Sequence, residues 1–264
     1  MIIEASTEAI NKVTEIANEL FGYSNIQTIL EFGSRYGEDT IEFAKIYPSA
    51  QIYAFECNPN TLDKCRKNIE DYSNIILTEK AISDSDGKVS FFKIDKNKTI
   101  TTWEDGNQGA SSMLKSSGQY PIEQYVQEEI KVDSITLNTF IKEKNIAQVD
   151  ILWMDIQGAE LMALHGLERN ISIVKLIHLE VEFMEIYKNQ PLFKKINSFL
   201  KSKNFTLVGF TNYGEYSGDA IFLNKEFATK VKVRQLFERF SLLRRKSKIK
   251  TFLARIFNRL KKLF

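Results

Sequence analysis

Four carboxylates stand beside apolar runs in this 264-residue chain, each where a strand would end. The first is Glu31, in Glu31-Phe-Gly33-Ser34-Arg35-Tyr36-Gly37. Glycines after a strand let the backbone turn sharply and approach a ligand, and the helix that follows offers free N–H groups. The spacing is G-x-x-x-G, not the G-x-G-x-x-G of dinucleotide enzymes. An acid just before the first glycine would repel a pyrophosphate and suits a cation, such as the sulfonium and ammonium of S-adenosylmethionine. The second is Glu56, in Phe55-Glu56-Cys57-Asn58-Pro59, 23 residues after Gly33. An acid at that separation can accept both hydroxyls of a ribose. The third is Asp155, in Asp150-Ile-Leu-Trp-Met-Asp155-Ile-Gln157-Gly158-Ala-Glu160, where a general base or metal ligand would sit. The fourth is Glu180, in His178-Leu-Glu180-Val-Glu182. Period two puts His178, Glu180 and Glu182 on one face of that strand. Glu180 is placed across a cleft from Asp155. His178 lies deeper, as a second candidate base or a satisfied core histidine.

The elements needed to hold these groups follow from apolar periodicity. Residues 6–21 read as a helix. Strands are expected at 28–32, 51–56, 74–77, 88–93, 149–154, 174–181, 205–210 and 220–223, with helices at 38–46, 61–72, 159–166 and 192–203 between them. This alternation predicts parallel βαβ units in an open α/β sheet with ligands outside the carboxyl ends of its strands. Residues 95–130 are polar and glycine-containing, and read as a substrate lid or a mobile surface insertion.

The pattern resembles the FkbM-type methyltransferases, a Rossmann-like branch of the S-adenosylmethionine-dependent enzymes. The resemblance rests on the 31–37 and 55–59 segments, Lys80–Asp84 with Gly87, Ser111–Leu114, Val132–Leu137, Asp150–Glu160 and Ile177–Val181. It runs from about Ile26 to Asn224. Trp153 stands where the family often has Lys, and Cys57 where it often has Pro. The resemblance implies a mostly parallel seven-stranded sheet with helices on both faces and an antiparallel last strand. It implies methyl transfer to a hydroxyl of a sugar, glycan or natural product. Glu31, Gly33, Ser34 and Gly37 would hold the methionine end of the cofactor. Glu56 and Cys57 would lie at the ribose, and Ala81 and Ile82 at the adenine. Asp155, with Glu180 or His178, would face the acceptor, as a base or as ligands of Mg²⁺. Two other readings remain open at this point. One is a nicotinamide oxidoreductase, disfavoured by the missing third glycine. The other is a catalytically silent cofactor-fold module. No Asn/Asp-Pro-Pro-Tyr segment follows the strand before Asp155, which argues against methylation of amino groups on bases.

The net charge of +2 conceals a division. Residues 230–264 hold thirteen Lys or Arg and one acid, Glu238, whereas the remainder is acidic. In the tail Ile249, Phe252, Leu253, Ile256, Phe257, Leu260 and Leu263 recur at helical spacing with Lys and Arg opposite them. A basic amphipathic helix of this kind suits an anionic membrane surface. Packing on the chain itself, a homodimer partner and, last, nucleic acid are the alternatives. The organisation expected is an N-terminal helix over 1–25, a catalytic domain over 26–228 and a tail over 229–264. Two cysteines in no CxxC pair and two histidines make a zinc site improbable. With no basic leader at Met1 and no membrane-length apolar run, the expected location is the cytoplasm, peripheral on the inner face of a membrane if the tail binds one.

Overall fold

A computed structural model describes residues 2–239 apart from 168, 231 and 237. Its elements in chain order are α1 (Ile2–Phe21), β1 (Thr28–Phe32), α2 (Glu38–Ile46), β2 (Gln51–Phe55), α3 (Leu62–Ile69), β3 (Ile75–Thr78), β4 (Ala81–Ser83), β5 (Gly87–Ile94), β6 (Gln127–Thr136), α4 (Leu137–Lys144), β7 (Val149–Met154), α5 (Glu160–Gly166), β8 (Val174–Glu182), α6 (Phe193–Ser202), β9 (Phe205–Tyr213) and β10 (Ser217–Asn224). Seven strands form one sheet in the order β3-β2-β1-β7-β8-β10-β9. All pairings from β3 to β8 are parallel, and β10 runs antiparallel to both of its neighbours. This is the doubly covered α/β sheet expected from the sequence.

Both faces are covered because the strands are apolar on both faces. In β1 and β7, Leu30 and Leu152 join one core with Phe140, Leu164 and Ile196, while Ile29 and Ile151 join the other with Val13, Ile16 and Phe43. Asp150 is an exception inside this apolar strand. Its Oδ2 accepts from the amides of Gln27 and Thr28 at 2.7 and 2.9 Å, and Lys175 reaches Oδ1 at 2.6 Å. It thereby fixes the entry of β1 beside β7.

A second sheet, β4-β6-β5, stands apart from the first. The sequence patterns missed β4, β6 and α4. β4 has three residues, and β6 carries exposed Glu128, Glu129, Lys131 and Asp133, so its alternation reads as polar. α4 starts on a Thr136 cap that accepts from the Thr139 amide. Residues 95–126 fold back through isolated bridges Phe92↔Ser112, Ile100↔Gln124 and Ser116↔Tyr187. They thus form an ordered cover over the carboxyl edge of the large sheet.

At the start of the tail, Leu236 is buried in the core on the α1 side. Lys232 pairs with Glu19 at 3.1 Å, and Arg239 with Glu19 and Glu15 at 3.3 and 3.4 Å. The amphipathic pattern at 249–263 lies outside the described residues. No described helix is long and apolar enough to cross a membrane.

Asp150→Ala strips the β1 amides of their acceptor and leaves Lys175 without its partner. Losing one half of a buried pair costs about 3–5 kcal/mol. Urea unfolding of the variant should show a loss of that size, and an unchanged midpoint would contradict this role.

Candidate active site

The glycine turn is clamped between two strand ends. The amides of Gly33 and Ser34 both donate to Phe55 O at 3.0 Å, and Asp155 N donates to Phe32 O at 3.0 Å. Gly33 has φ 87°, and a Cβ there would lie 2.0 Å from Asp155 O. Only glycine permits this approach of β1 to the loop after β7. Gly37 serves the turn differently. It caps α2 at φ 83°, and a Cβ there would meet Ile69 at 2.7 Å. It lines neither cavity, so its place is helix packing and not the ligand wall expected from the sequence.

The turn borders two cavities. The smaller lies over the ends of β1 and β2. Phe55, Ile82, Phe91 and Met113 give it apolar walls, and Glu56, Cys57 and Ala81 also line it. Glu56 is buried and oriented by three amides: Arg35 N on Oε2 at 2.7 Å, and Cys57 N and Asn58 N on Oε1 at 2.8 and 2.7 Å. Burial lifts its carboxyl to about 7 against those hydrogen bonds. Burial also pushes the Cys57 thiol far above its ordinary range, which makes it a wall and not a nucleophile.

The larger cavity opens over the ends of β7 and β8. Asp155 lines both cavities, as do Gly33, Arg35 and Gly109. Glu180 and Glu182 line only the larger one, together with Ser34 and Glu31. Gln157, held in the left-handed region at φ 56°, joins the central pair. Its Nε2 donates to Asp155 Oδ1 at 2.6 Å and to Glu180 Oε2 at 2.8 Å. Its Oε1 lies 2.8 Å from the Tyr187 hydroxyl. Burial raises both carboxyls. Hydrogen bonds from Gln157 and Glu180 and the charge of Arg35 hold Asp155 back. The charges of Asp155 and Glu182 push Glu180 further up. Glu180 therefore keeps a proton while Asp155 ionises first.

Glu31 is buried, hydrogen-bonded by the Thr40 hydroxyl of α2, and lies away from the smaller cavity. His178 lines neither cavity. Its ring stacks on Trp153 at 3.8 Å, its Nε2 meets Thr211 Oγ1 at 2.8 Å, and burial lowers it to about 3. A neutral imidazole stacked on Trp153 fits this place, and the base expected as an alternative does not. The two residues expected as metal ligands, Asp155 and Glu180, are joined by an amide. Among the described residues no group of three or more His, Cys, Asp or Glu could hold a metal ion. The Gln157 amide instead bonds to Asp155 and Glu180.

The sequence marked 95–130 as a lid or a mobile insertion, but its patterns did not find the latch that holds it. Arg35 of the glycine turn binds Asp105 of the cover at 2.5 Å, and its guanidinium lies 4.8 Å from both the Tyr36 and Trp103 rings. The Tyr36 hydroxyl also donates to Asp105, at 2.9 Å. Within the cover, Asn58 holds Ser111 Oγ at 3.0 Å, and Asn60 holds Gln108 at 2.9 Å. The Asn58-Pro-Asn60 sequence just after Glu56 was the available signal. Glu160 is another positioning group. Its Oε1 accepts from Ile156 N and Gly158 N at 3.1 and 3.3 Å and shapes the loop that presents Asp155.

The model of the methyltransferase FkbM domain matches residues 31–207, a span that holds both cavities. The chain belongs to the FkbM methyltransferase family. It is an S-adenosylmethionine-dependent methyltransferase. It is 28% identical over 198 residues to 2-O-methyltransferase NoeI of Sinorhizobium fredii, covering 74% of this chain and 79% of that protein. It is 29% identical over 190 residues to Methyltransferase 1 of Beauveria bassiana, covering 68% and 72%. Among solved structures, M. capricolum TrmK in complex with S-adenosyl-homocysteine aligns with TM-score 0.42 and 11% identity, over 84% of this chain and 73% of that one.

The buried acids make stability depend on pH. Glu56, Glu160 and Asp219 are each raised to about 7. The folded chain therefore keeps protons that the unfolded chain releases between roughly pH 4.5 and 7. That contribution is full below the window and lost as pH rises through it. His178 acts oppositely below about pH 6.5, but it is one group against three. The ligand-free protein should melt at a higher temperature near pH 5.5 than near pH 8, by scanning calorimetry. A melting temperature that rises over that interval would contradict the protonation assigned to these acids.

Proposed function

We propose that the protein is an O-methyltransferase that moves the methyl group of S-adenosylmethionine to a hydroxyl of a sugar, a glycan or another natural product. The single observation that carries the reading is Asp155, the carboxylate on the wall common to both cavities. The smaller cavity fits the cofactor in its chemistry. It has an apolar slot between Phe55, Ile82 and Phe91 for a base, a buried Glu56 with its amide cradle for ribose hydroxyls, and the Asp155 carboxylate at the Gly33 end for a cation. When bound, the cofactor supplies a methyl group already activated by a positively charged sulfur.

The chain then has to align an oxygen and accept its proton. Asp155 takes that proton at the carboxylate oxygen left free by Gln157. An ordinary aspartate, near pKa 4, is a weak base for an alcohol, and burial lifts Asp155 in the useful direction. Glu180 stays protonated beside it, so the pair carries one negative charge. Gln157 and Tyr187 fix the geometry of that pair. The cover over 95–126 shields the transfer from water through the Arg35–Asp105 latch. The similarity to a 2-O-methyltransferase supports an oxygen acceptor.

Asp155→Asn should lower turnover by at least about a hundredfold, the usual weight of a general base, while S-adenosylhomocysteine still binds by calorimetry. Turnover within a few-fold of the parent would remove Asp155 from the mechanism. In the parent, kcat should fall on the acid side as Asp155 takes up its proton.

The tail supports a second proposal, that the enzyme works on the inner, anionic face of a membrane. The basic amphipathic pattern over 249–263 carries it. Sedimentation with vesicles rich in phosphatidylserine should pull down the full chain, and K248E/K250E/R255E/R259E should release it. Equal partitioning of the two proteins would defeat the idea.

A further inference from the structure

Two hydroxyls join the cover to the residue that bridges the catalytic pair. Ser112 Oγ donates to Gln157 O at 2.7 Å. The Tyr187 hydroxyl lies 2.8 Å from Gln157 Oε1 and 2.9 Å from Ala110 O. It has a single proton for those two carbonyls, and burial keeps that proton on the oxygen. The ring has little freedom. It is fully buried, stacks on Tyr125 at 6.1 Å, and would lie 3.3 Å from a Cβ at Gly158. Its loop pairs with the cover, Lys188 N donating to Lys115 O at 2.8 Å and Ser117 N to Ile186 O at 2.9 Å. A primary amide has two unlike ends, a carbonyl that accepts and an NH₂ that donates twice. With its carbonyl on Tyr187, Gln157 aims its two N–H bonds at Asp155 Oδ1 and Glu180 Oε2. Turned over, it would set a carbonyl oxygen against the Asp155 carboxylate and leave that carboxylate without its donor.

We infer that Tyr187 is a positioning residue that ties the cover to the general base: its hydroxyl, shared with Ala110 O, holds the Gln157 amide in the one orientation that anchors Asp155 Oδ1 and leaves Oδ2 to the acceptor. The inference rests on the methyltransferase reading and deepens it. Tyr187 lines neither cavity, so it acts through Gln157 and takes no part in the transfer itself. Asp155 is set for proton transfer only while residues 110–112 of the cover are in place. Exclusion of water and readiness of the base are thereby joined in one network.

The test follows hydrogen exchange by NMR in the full-length protein with S-adenosylhomocysteine present. The side-chain NH₂ of Gln157 is identified by its loss in Gln157→Ala. In the parent it should show two slowly exchanging protons, and free exchange there would overturn the inference without any further variant. Tyr187→Phe keeps the ring and removes only the hydroxyl. Exchange should quicken about fivefold, the weight of one net hydrogen bond, both at the Gln157 NH₂ and at the hydrogen-bonded amides of Ala110, Ser111 and Ser112. A ring that served packing alone would leave the Gln157 NH₂ unmoved in this variant. Quickening at the cover alone, at Gln157 alone or at neither place would overturn the inference. Calorimetry should find S-adenosylhomocysteine affinity retained in the variant. Absence of that affinity in the parent would instead sink the methyltransferase reading, whatever the exchange at Gln157.

Discussion

Carboxylates gathered at the carboxyl edge of a parallel sheet must either find donors or keep their protons. That constraint organises this molecule. Glu56 has three backbone amides, Glu160 has two, and Glu31 has the Thr40 hydroxyl. Asp155 and Glu180 share one amide, that of Gln157. Each acid therefore fixes a piece of backbone: Glu56 the glycine turn, Glu160 the loop after β7, Glu31 the start of α2. The electrostatic cost of collecting them is offset by the burial of two apolar cores around the same strands. Their raised pKa values follow from the same crowding.

This arrangement separates two tasks that the sequence presents together. Glu56 faces the smaller cavity, Glu180 and Glu182 face the larger, and Asp155 stands between them. The partition comes from strand order. β1 sits between β2 and β7, so the glycine turn that ends it borders both sites. The cover spans both, through Gln108 and Ser111 over one and Trp103, Tyr120 and Tyr125 over the other.

Much of this was legible in the residues. The apolar runs ending in Glu31, Glu56, Asp155 and Glu180 located four neighbouring strand ends, because buried parallel strands are continuous in hydropathy. What failed did so for local reasons. Gly37 reads as a ligand turn, but φ 83° at a helix cap and contact with Ile69 explain it. His178 shares a face with Glu180, yet Trp153 and Thr211 enclose it, and such neighbours come from β7 and β9 and are invisible in a single strand. β6 escaped notice because its inner positions Ile130 and Val132 are only half-buried and alternate with exposed charges. The cover was visible only as a glycine-containing polar stretch, since its order depends on contacts such as Arg35–Asp105, made across 70 positions.

The central claim is the division of labour around Asp155. A crystal structure of the protein with S-adenosylhomocysteine tests it most directly. The account predicts the adenine between Phe55 and Ile82, the ribose hydroxyls on Glu56, and the sulfur directed toward Asp155 with the larger cavity still open. A nucleoside lodged among Glu182, Tyr120 and Tyr125, with Glu56 making no contact to it, would contradict the account.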